Sequence, residues 1–187
     1  MKKTWLIVIG IVLISGIYLV SSYNQLVTLR EQSNNQWAQV ETQYQRRLDL
    51  IPNLVESTKG VLRQEQEVFE AIADARTRYA GAQTLDDKTQ AISELESSLS
   101  RLLLIVENYP ELKSNETVNR LMDELAGTEN RISVERKRFN DQVTTYNLGV
   151  MRFPNSLFAN IYGFRQMSLF EAAPQADTPP AVNLDLE

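Results

Sequence analysis

The sequence has neither cysteine nor histidine, and it is poor in the residues that interrupt helices, with 7 glycines and 6 prolines in 187 residues. Without cysteine there is no disulfide and no thiolate chemistry, and cysteine usage says nothing about redox compartment. Without histidine the usual zinc sites, Ser-His triads and Glu-x-x-His di-iron sites are excluded. Scarce glycine and proline favour helices, because both residues disrupt helix interiors. A basic stripe is also missing. Lys and Arg number 19 against 24 Asp and Glu, for a net charge of -5. Much of that excess lies in Glu171, Asp177, Asp185 and Glu187, which follow the last basic residue, Arg165. The body is therefore close to neutral, with both signs mixed along it, which argues against a nucleic-acid partner.

What is present is an ordinary globular mixture, 43% hydrophobic and 23% charged, of a size for one domain with appendages. Its most distinctive stretch comes first. Met1-Lys2-Lys3 precedes an apolar run over residues 5–20, interrupted only by Gly10, Ser15 and Gly16. Extended to residues 4–23, the segment reaches the roughly 20 residues needed to cross a bilayer. Trp5 and Tyr23 flank it, as interfacial aromatics do. Residues 1–23 are thus read as a transmembrane anchor. The alternative is a signal peptide cleaved near Val20-Ser21-Ser22. Retention is preferred, because the run is longer than a signal core and helical pattern resumes at once after it. Lys2 and Lys3 lie before the span and residues 21–29 carry no charge. The positive-inside rule then places the N-terminus in the cytoplasm and the rest outside the inner (plasma) membrane.

Apolar spacing predicts four helical segments. The first covers about 24–50, on the stripe Leu26, Trp37, Val40, Tyr44, Leu48 and Ile51. Pro52 suits the first turn of a new helix, so a corner is expected at Asp49-Leu50-Ile51-Pro52. The alternative is one long helix kinked at Pro52. The second segment covers 52–79 on Val55, Leu62, Phe69, Ile72 and Tyr79, and Gly81 ends it. Thr84-Leu85-Asp86-Asp87 resembles a capping box. The third segment steps by three and four through Leu85, Lys88, Ile92, Leu95, Leu99, Leu102, Val106 and Tyr109, all apolar except Lys88, until Tyr109-Pro110 stops it. The fourth covers about 114–152 on Val118, Leu121, Leu125, Ile132, Phe139, Val143, Tyr146 and Val150, closed by Phe153-Pro154.

The first three segments span roughly 40, 42 and 39 Å and the fourth roughly 58 Å. Short connections imply antiparallel neighbours. The fold expected over residues 24–171 is an all-α, up-down-up-down bundle of long, coiled-coil-like helices standing on the membrane. In that topology two corners meet at the membrane-distal end. They would gather Arg46, Arg47, Asp49, Asn53, Glu107, Tyr109, Glu111 and Lys113, a candidate tip for docking a partner. Charge pairing that merely fixes the two turns is the alternative. Polar interruptions of the seams, Glu65 and Arg76 in the second segment and Thr128-Glu129-Asn130-Arg131 in the fourth, are read as seam-edge side chains with their heads in water. A buried polar layer that sets register is the other reading. Residues 155–170, rich in Leu, Ile, Phe and Tyr with Arg165 as the lone charge, either fold back on the bundle or lie in the membrane interface. The first is favoured. Residues 172–187 lack any seam and are expected to be disordered.

The strings Arg46-Arg47-Leu48-Asp49-Leu50-Ile51-Pro52-Asn53-Leu54-Val55 and Glu107-Asn108-Tyr109-Pro110-Glu111-Leu112-Lys113 resemble those of the LemA family. So do Tyr23-Asn24-Gln25-Leu26-Val27, Trp37 with Val40, Thr128-Glu129-Asn130-Arg131-Ile132, Tyr146-Asn147 and Gly163-Phe164. Phe139-Asn140 departs from the family's usual Tyr-Asn. The tail after Glu171 has no counterpart to match. The resemblance implies a single-pass membrane protein with an antiparallel helical domain and no transferable catalytic residue. A magnetosome-associated branch of the family suggests a part in membrane organisation.

Three function classes follow. The preferred one is a non-enzymatic, cofactor-free scaffold or adaptor of the bacterial envelope. It would contact lipid through its anchor and another envelope protein or a second copy of itself through its helical domain. The second is an envelope sensor with a small ligand between helices, near Tyr44, Glu65 or Glu129. The third is an enzyme using Asp, Glu, Lys or Tyr. It is disfavoured because those groups are spread along solvated helix faces.

Overall fold

The computed structural model describes residues 2–62 and 65–170, and these are helices joined by turns, with no strand among the described residues. In chain order the helices are α1 (Lys2–Lys59), α2 (Gln66–Gly81), α3 (Leu85–Asn108), α4 (Pro110–Lys113), α5 (Glu116–Met151) and α6 (Asn155–Ala159). Among the described residues α1 is the one helix long and apolar enough to cross a membrane, and none of its most apolar window is buried in the protein. The tail expected to be disordered, residues 172–187, lies outside the described residues.

The corner expected at Pro52 does not exist. α1 runs through Pro52 to Lys59, and the turn comes where Val61 and Leu62 both donate their backbone N–H to the Thr58 carbonyl. The physical reason lies in the seam. Seven-residue steps link Leu26, Ser33, Val40, Arg47 and Leu54, and a second set links Tyr44, Ile51 and Thr58. All of these are buried. Such a repeat is the mark of one helix presenting one face to a partner. An interior proline costs about 3 kcal/mol. Full burial of Ile51 and Leu54 returns about 1.5–3 kcal/mol each, so continuing the helix wins. Pro52 itself is exposed.

By its internal contacts the chain divides into two compact units, whose boundary falls inside α1 and α5. The first comprises Met1–Arg47 and Gly127–Leu169. Here α1 and α5 run antiparallel, since partners on α1 ascend as those on α5 descend. Gln32 meets Gln142, the Trp37 ring lies 5.3 Å from that of Phe139, and Arg47 meets Glu129. The helices come close at Gly149. A Cβ there would lie 3.0 Å from Leu29 Cδ1. Beyond α5 the chain folds back. Gly163, at φ 77, takes a left-handed turn that L side chains rarely adopt. Phe164 then enters a small apolar cluster with Leu26, Tyr146, Val150 and Ala159.

Among the described residues the second unit comprises 48–62, 65–126 and Phe170. Its core is an aliphatic cluster that includes Leu48, Ile51, Leu54, Leu62, Ile72, Leu95, Leu99, Leu102, Val106, Leu112, Val118 and Leu125. Tyr109 packs against it from the edge. The predicted capping sequence works with a variation. The Thr84 hydroxyl accepts the Asp87 backbone N–H at 3.1 Å and donates to the Asp87 carboxylate at 2.6 Å. After α4, Asn115 caps α5, its side-chain oxygen accepting N–H bonds from Thr117 and Val118. Asparagine at this position satisfies donors that helix geometry leaves open.

Candidate functional site

The first candidate is the polar seam between α1 and α5 in the first unit. Arg47 is 6% exposed. It occupies a seam position and reaches Glu129 at 2.6 Å, where Glu129 keeps contact with water on its outer side. One turn earlier on α1, the Tyr44 hydroxyl accepts a hydrogen bond from the Arg136 guanidinium, whose carbon lies 5.3 Å from the centroid of the same ring. Burial pulls Arg136 down to about 10, which leaves it charged at neutral pH. Hydroxyl and ring face together supply what lost water no longer does. Further along, Gln36 donates to Glu135 at 2.7 Å, and Arg138 donates to the other oxygen of the same carboxylate.

The buried hydroxyls of this stripe are satisfied within their own helix. Ser33 donates to the Leu29 carbonyl at 3.0 Å and Thr58 to that of Leu54 at 2.9 Å. The expectation of a seam-edge side chain with its head in water is corrected for Thr128, which is buried. Glu129 is half-buried with its side chain reaching water beside a buried arginine, and Asn130 and Arg131 are exposed. The seven-residue repeat was the signal for these positions. Polar identity hid their burial, because reading a seam by apolar residues alone skips Ser33 and Arg47 and leaves Thr58 and Thr128 as polar gaps.

The predicted docking residues divide into three groups. Arg46 and Arg47 belong to the first unit, Arg46 exposed on α1 and Arg47 buried. Burial removes Arg47 from any docking face. Asp49 and Asn53 are exposed on α1 one turn apart, within the second unit. Glu107, Tyr109, Glu111 and Lys113 are gathered by the turn between α3 and α5. Glu107, Glu111 and Lys113 are exposed there, and Tyr109 is half-buried on the aliphatic cluster. Side chains bond backbone through this turn. Asn108 donates to Leu104, Ser114 to Glu111 and Asn119 to Lys113. The charged side chains thus stand on a fixed support.

Near Tyr44, one of the places where the alternative sensor reading put a ligand between helices, the Tyr44 ring is itself fully buried and fills the seam. An open cleft in the second unit is lined by Arg78, Gly81, Ala82, Asp87, Gln90, Ala91 and Glu94. Arg78 crosses it to hold both oxygens of Glu94, at 2.9 and 2.7 Å. No group of three or more acidic side chains among the described residues is placed to hold a metal ion.

Comparison with known proteins bears on this geometry. The family model described as LemA family matches residues 36–184, which carries the match past Glu171 into the tail. Magnetosome protein MamQ of Magnetospirillum gryphiswaldense is 29% identical, over 86% of this chain and 69% of its own length. Magnetosome proteins MamQ 1 and MamQ 2 of Paramagnetospirillum magneticum are each 28% identical over the same shares.

Proposed function

The chain belongs to the LemA family, and from that premise we propose that it is a non-catalytic scaffold or adaptor of the bacterial envelope. Residues 4–23 hold it in the plasma membrane with the N-terminus cytoplasmic. Its helical domain stands on the other side as an antiparallel bundle and acts by binding protein. The observation that carries this reading is the continuity of α1 from Lys2 to Lys59. A helix that is both the apolar span and the first wall of the folded domain leaves no flexible linker, so the domain is presented at a fixed height and tilt. That suits a structural part and is unneeded by a freely diffusing enzyme. The engagement of Ser22 with Asn155 supports retention of the span, since cleavage at residues 20–22 would cut inside packed helix.

The proposed docking surface is the α3–α5 turn, with Glu107, Glu111 and Lys113 as its charged contacts and Tyr109 as its apolar footing. In-cell crosslinking followed by affinity isolation from detergent-solubilised membranes tests the role. A discrete partner or a homo-oligomer crosslinked through residues 107–113 is the expected result, weakened severalfold by the double charge reversal Glu107→Lys with Glu111→Lys. A monomeric profile without partners in native membranes would overturn it.

A further inference from the structure

The segment after α5 has two sides of opposite character. Inward, Ala159 and Phe164 are buried with Leu26, Tyr146 and Val150. Outward, Phe153, Leu157 and Ile161 are 79%, 58% and 77% exposed, spaced four residues apart. From residue 142 to residue 170 the sequence has Arg152 and Arg165 as its charged residues and no carboxylate. Both arginines are exposed. An apolar outer side flanked by cations is what an element seated among lipid headgroups presents.

Its attachment fixes its depth. The Asn155 side-chain oxygen accepts from the Tyr18 hydroxyl at 2.9 Å and from the Ser22 hydroxyl at 2.6 Å. The Tyr23 ring meets Tyr162 and Phe164 edge-on, with centroids 5.3 and 5.6 Å apart. From Trp5 to Tyr23 the helix rises about 27 Å, close to the roughly 30 Å of a hydrocarbon core. With those aromatics at the two interfaces, Tyr18 lies about 7.5 Å below the outer one. Interfacial helices settle about 5–10 Å into the headgroup and acyl boundary. A segment bonded to Tyr18 and Ser22 has no water-filled place to stand.

We propose that residues 151–162 form an interfacial wedge, a turn and short helix lying in the outer leaflet beside the span, with Phe153, Leu157 and Ile161 against lipid. The bilayer is the occupant of this apolar side, because the segment is bonded at Tyr18 and Ser22 to α1, whose apolar residues are exposed around them. The wedge locks the tilt of α1, for a helix with a side arm in the interface cannot rotate or slide without moving the arm. This inference rests on reading residues 4–23 as a membrane span.

The natural sequence has no cysteine, so single substitutions give unique labelling sites in the full-length chain. Phe153→Cys, Leu157→Cys and Ile161→Cys are spin-labelled in vesicles of phosphatidylethanolamine and phosphatidylglycerol. Lys137→Cys on the exposed side of α5 serves as the aqueous reference and Ile11→Cys as the reference within the span. The readout is the accessibility ratio of dissolved oxygen to a water-soluble nickel chelate. The wedge predicts ratios at 153, 157 and 161 at least about threefold above that at 137, in the direction of the value at 11. Ratios equal to that at 137, with the label at 11 still oxygen-rich, overturn the wedge and leave the span standing. Low accessibility to both reagents at 153, 157 and 161 means a protein partner covers the surface, and also overturns it. A label at 11 open to the nickel chelate brings down the span reading and the wedge together.

Discussion

The two units are built on the same two long helices but bury different chemistry. In the unit formed by Leu48–Ala126 the cluster is aliphatic, almost wholly Leu, Ile and Val. In the unit formed by Met1–Arg47 and Gly127–Leu169 the seam alternates apolar side chains with buried Ser33, Tyr44, Arg47 and Thr128 and half-buried Arg136. Aliphatic burial is strong and non-directional. It holds helices together while saying little about where along each other they stop. Arg47–Glu129 and Tyr44–Arg136 work the other way. Each contributes little net energy, but a slide of one heptad would part both pairs at once. The contrast assigns stability to one unit's core and register to the other's seam, which lies on the same helix as the candidate membrane segment.

Cutting the aliphatic core should have the largest effect. Leu102 is fully buried, and Leu102→Ala is expected to cost about 3 kcal/mol. That lowers the midpoint of thermal unfolding in detergent by about 6–12 °C. A loss below about 1 kcal/mol would mean the cluster is loosely packed and the contrast between the units is false. Next comes a change of opposite sign in the same unit. Pro52→Ala restores a donor to the interior of α1 and removes a steric clash, for an expected gain of about 1–2 kcal/mol after the looser unfolded chain is counted. A corner at Pro52 would instead make the substitution neutral or destabilising, so the sign of the shift in midpoint distinguishes the two structures.

In the polar seam the expected effects are smaller and depend on shape. Removing one member of a fully buried ion pair costs about 3–5 kcal/mol. Glu129 keeps 46% of its side chain exposed, so water replaces much of what it loses. Arg47→Ala is therefore expected to cost about 1–2 kcal/mol, largely for the lost aliphatic stem. Arg47→Met, which keeps that stem, should cost less than about 1 kcal/mol. Register and stability have separate readouts. Both variants should show new crosslinks between cysteines placed at positions shifted by seven residues along α1 and α5, even where Arg47→Met barely changes the unfolding midpoint.

The seams were readable because burial follows the helical repeat. Ile92, Leu95, Leu99, Leu102 and Val106 on α3 and Val118 through Val150 on α5 are buried where their spacing placed them. The cap at Thr84 and the stop at Tyr109-Pro110 were readable because each has a local cause. Pro52 misled because its local preference, a helix start, was outweighed by burial that depends on a distant partner. Arg47 and Thr128 misled for the related reason that polar identity speaks of water, while position within a heptad speaks of the seam. Of the docking set, the 107–113 turn was legible from its proline, whereas the burial of Arg47 required Glu129, far along the chain. The fold-back of residues 160–167 had a written signal in Gly163, and its anchoring by Tyr146 and Asn147 had none.

That anchoring gives the smallest effect and one that pH can isolate. The Tyr146 hydroxyl donates to the Arg165 carbonyl at 2.8 Å, and Asn147 clamps Met167 through both its backbone N–H and its carbonyl. Burial pushes the Tyr146 phenol above its usual 10, against a smaller opposing pull from Arg30. The folded chain therefore keeps this proton to higher pH than the unfolded chain does. Above about pH 10 the unfolded state binds fewer protons, so the contribution of this group is complete below that pH and declines as pH rises toward and through the folded value. Tyr146→Phe removes both the hydrogen bond and its titration, at an expected cost of about 1 kcal/mol at pH 8. The difference in unfolding midpoint between the natural chain and this variant should shrink between pH 8 and pH 11. Every other group is common to the two chains and cancels in that difference. A gap that stays constant or widens with pH would mean that the Tyr146 hydroxyl is not buried against Arg165, and that the fold-back is held by Asn147 and Phe164 alone.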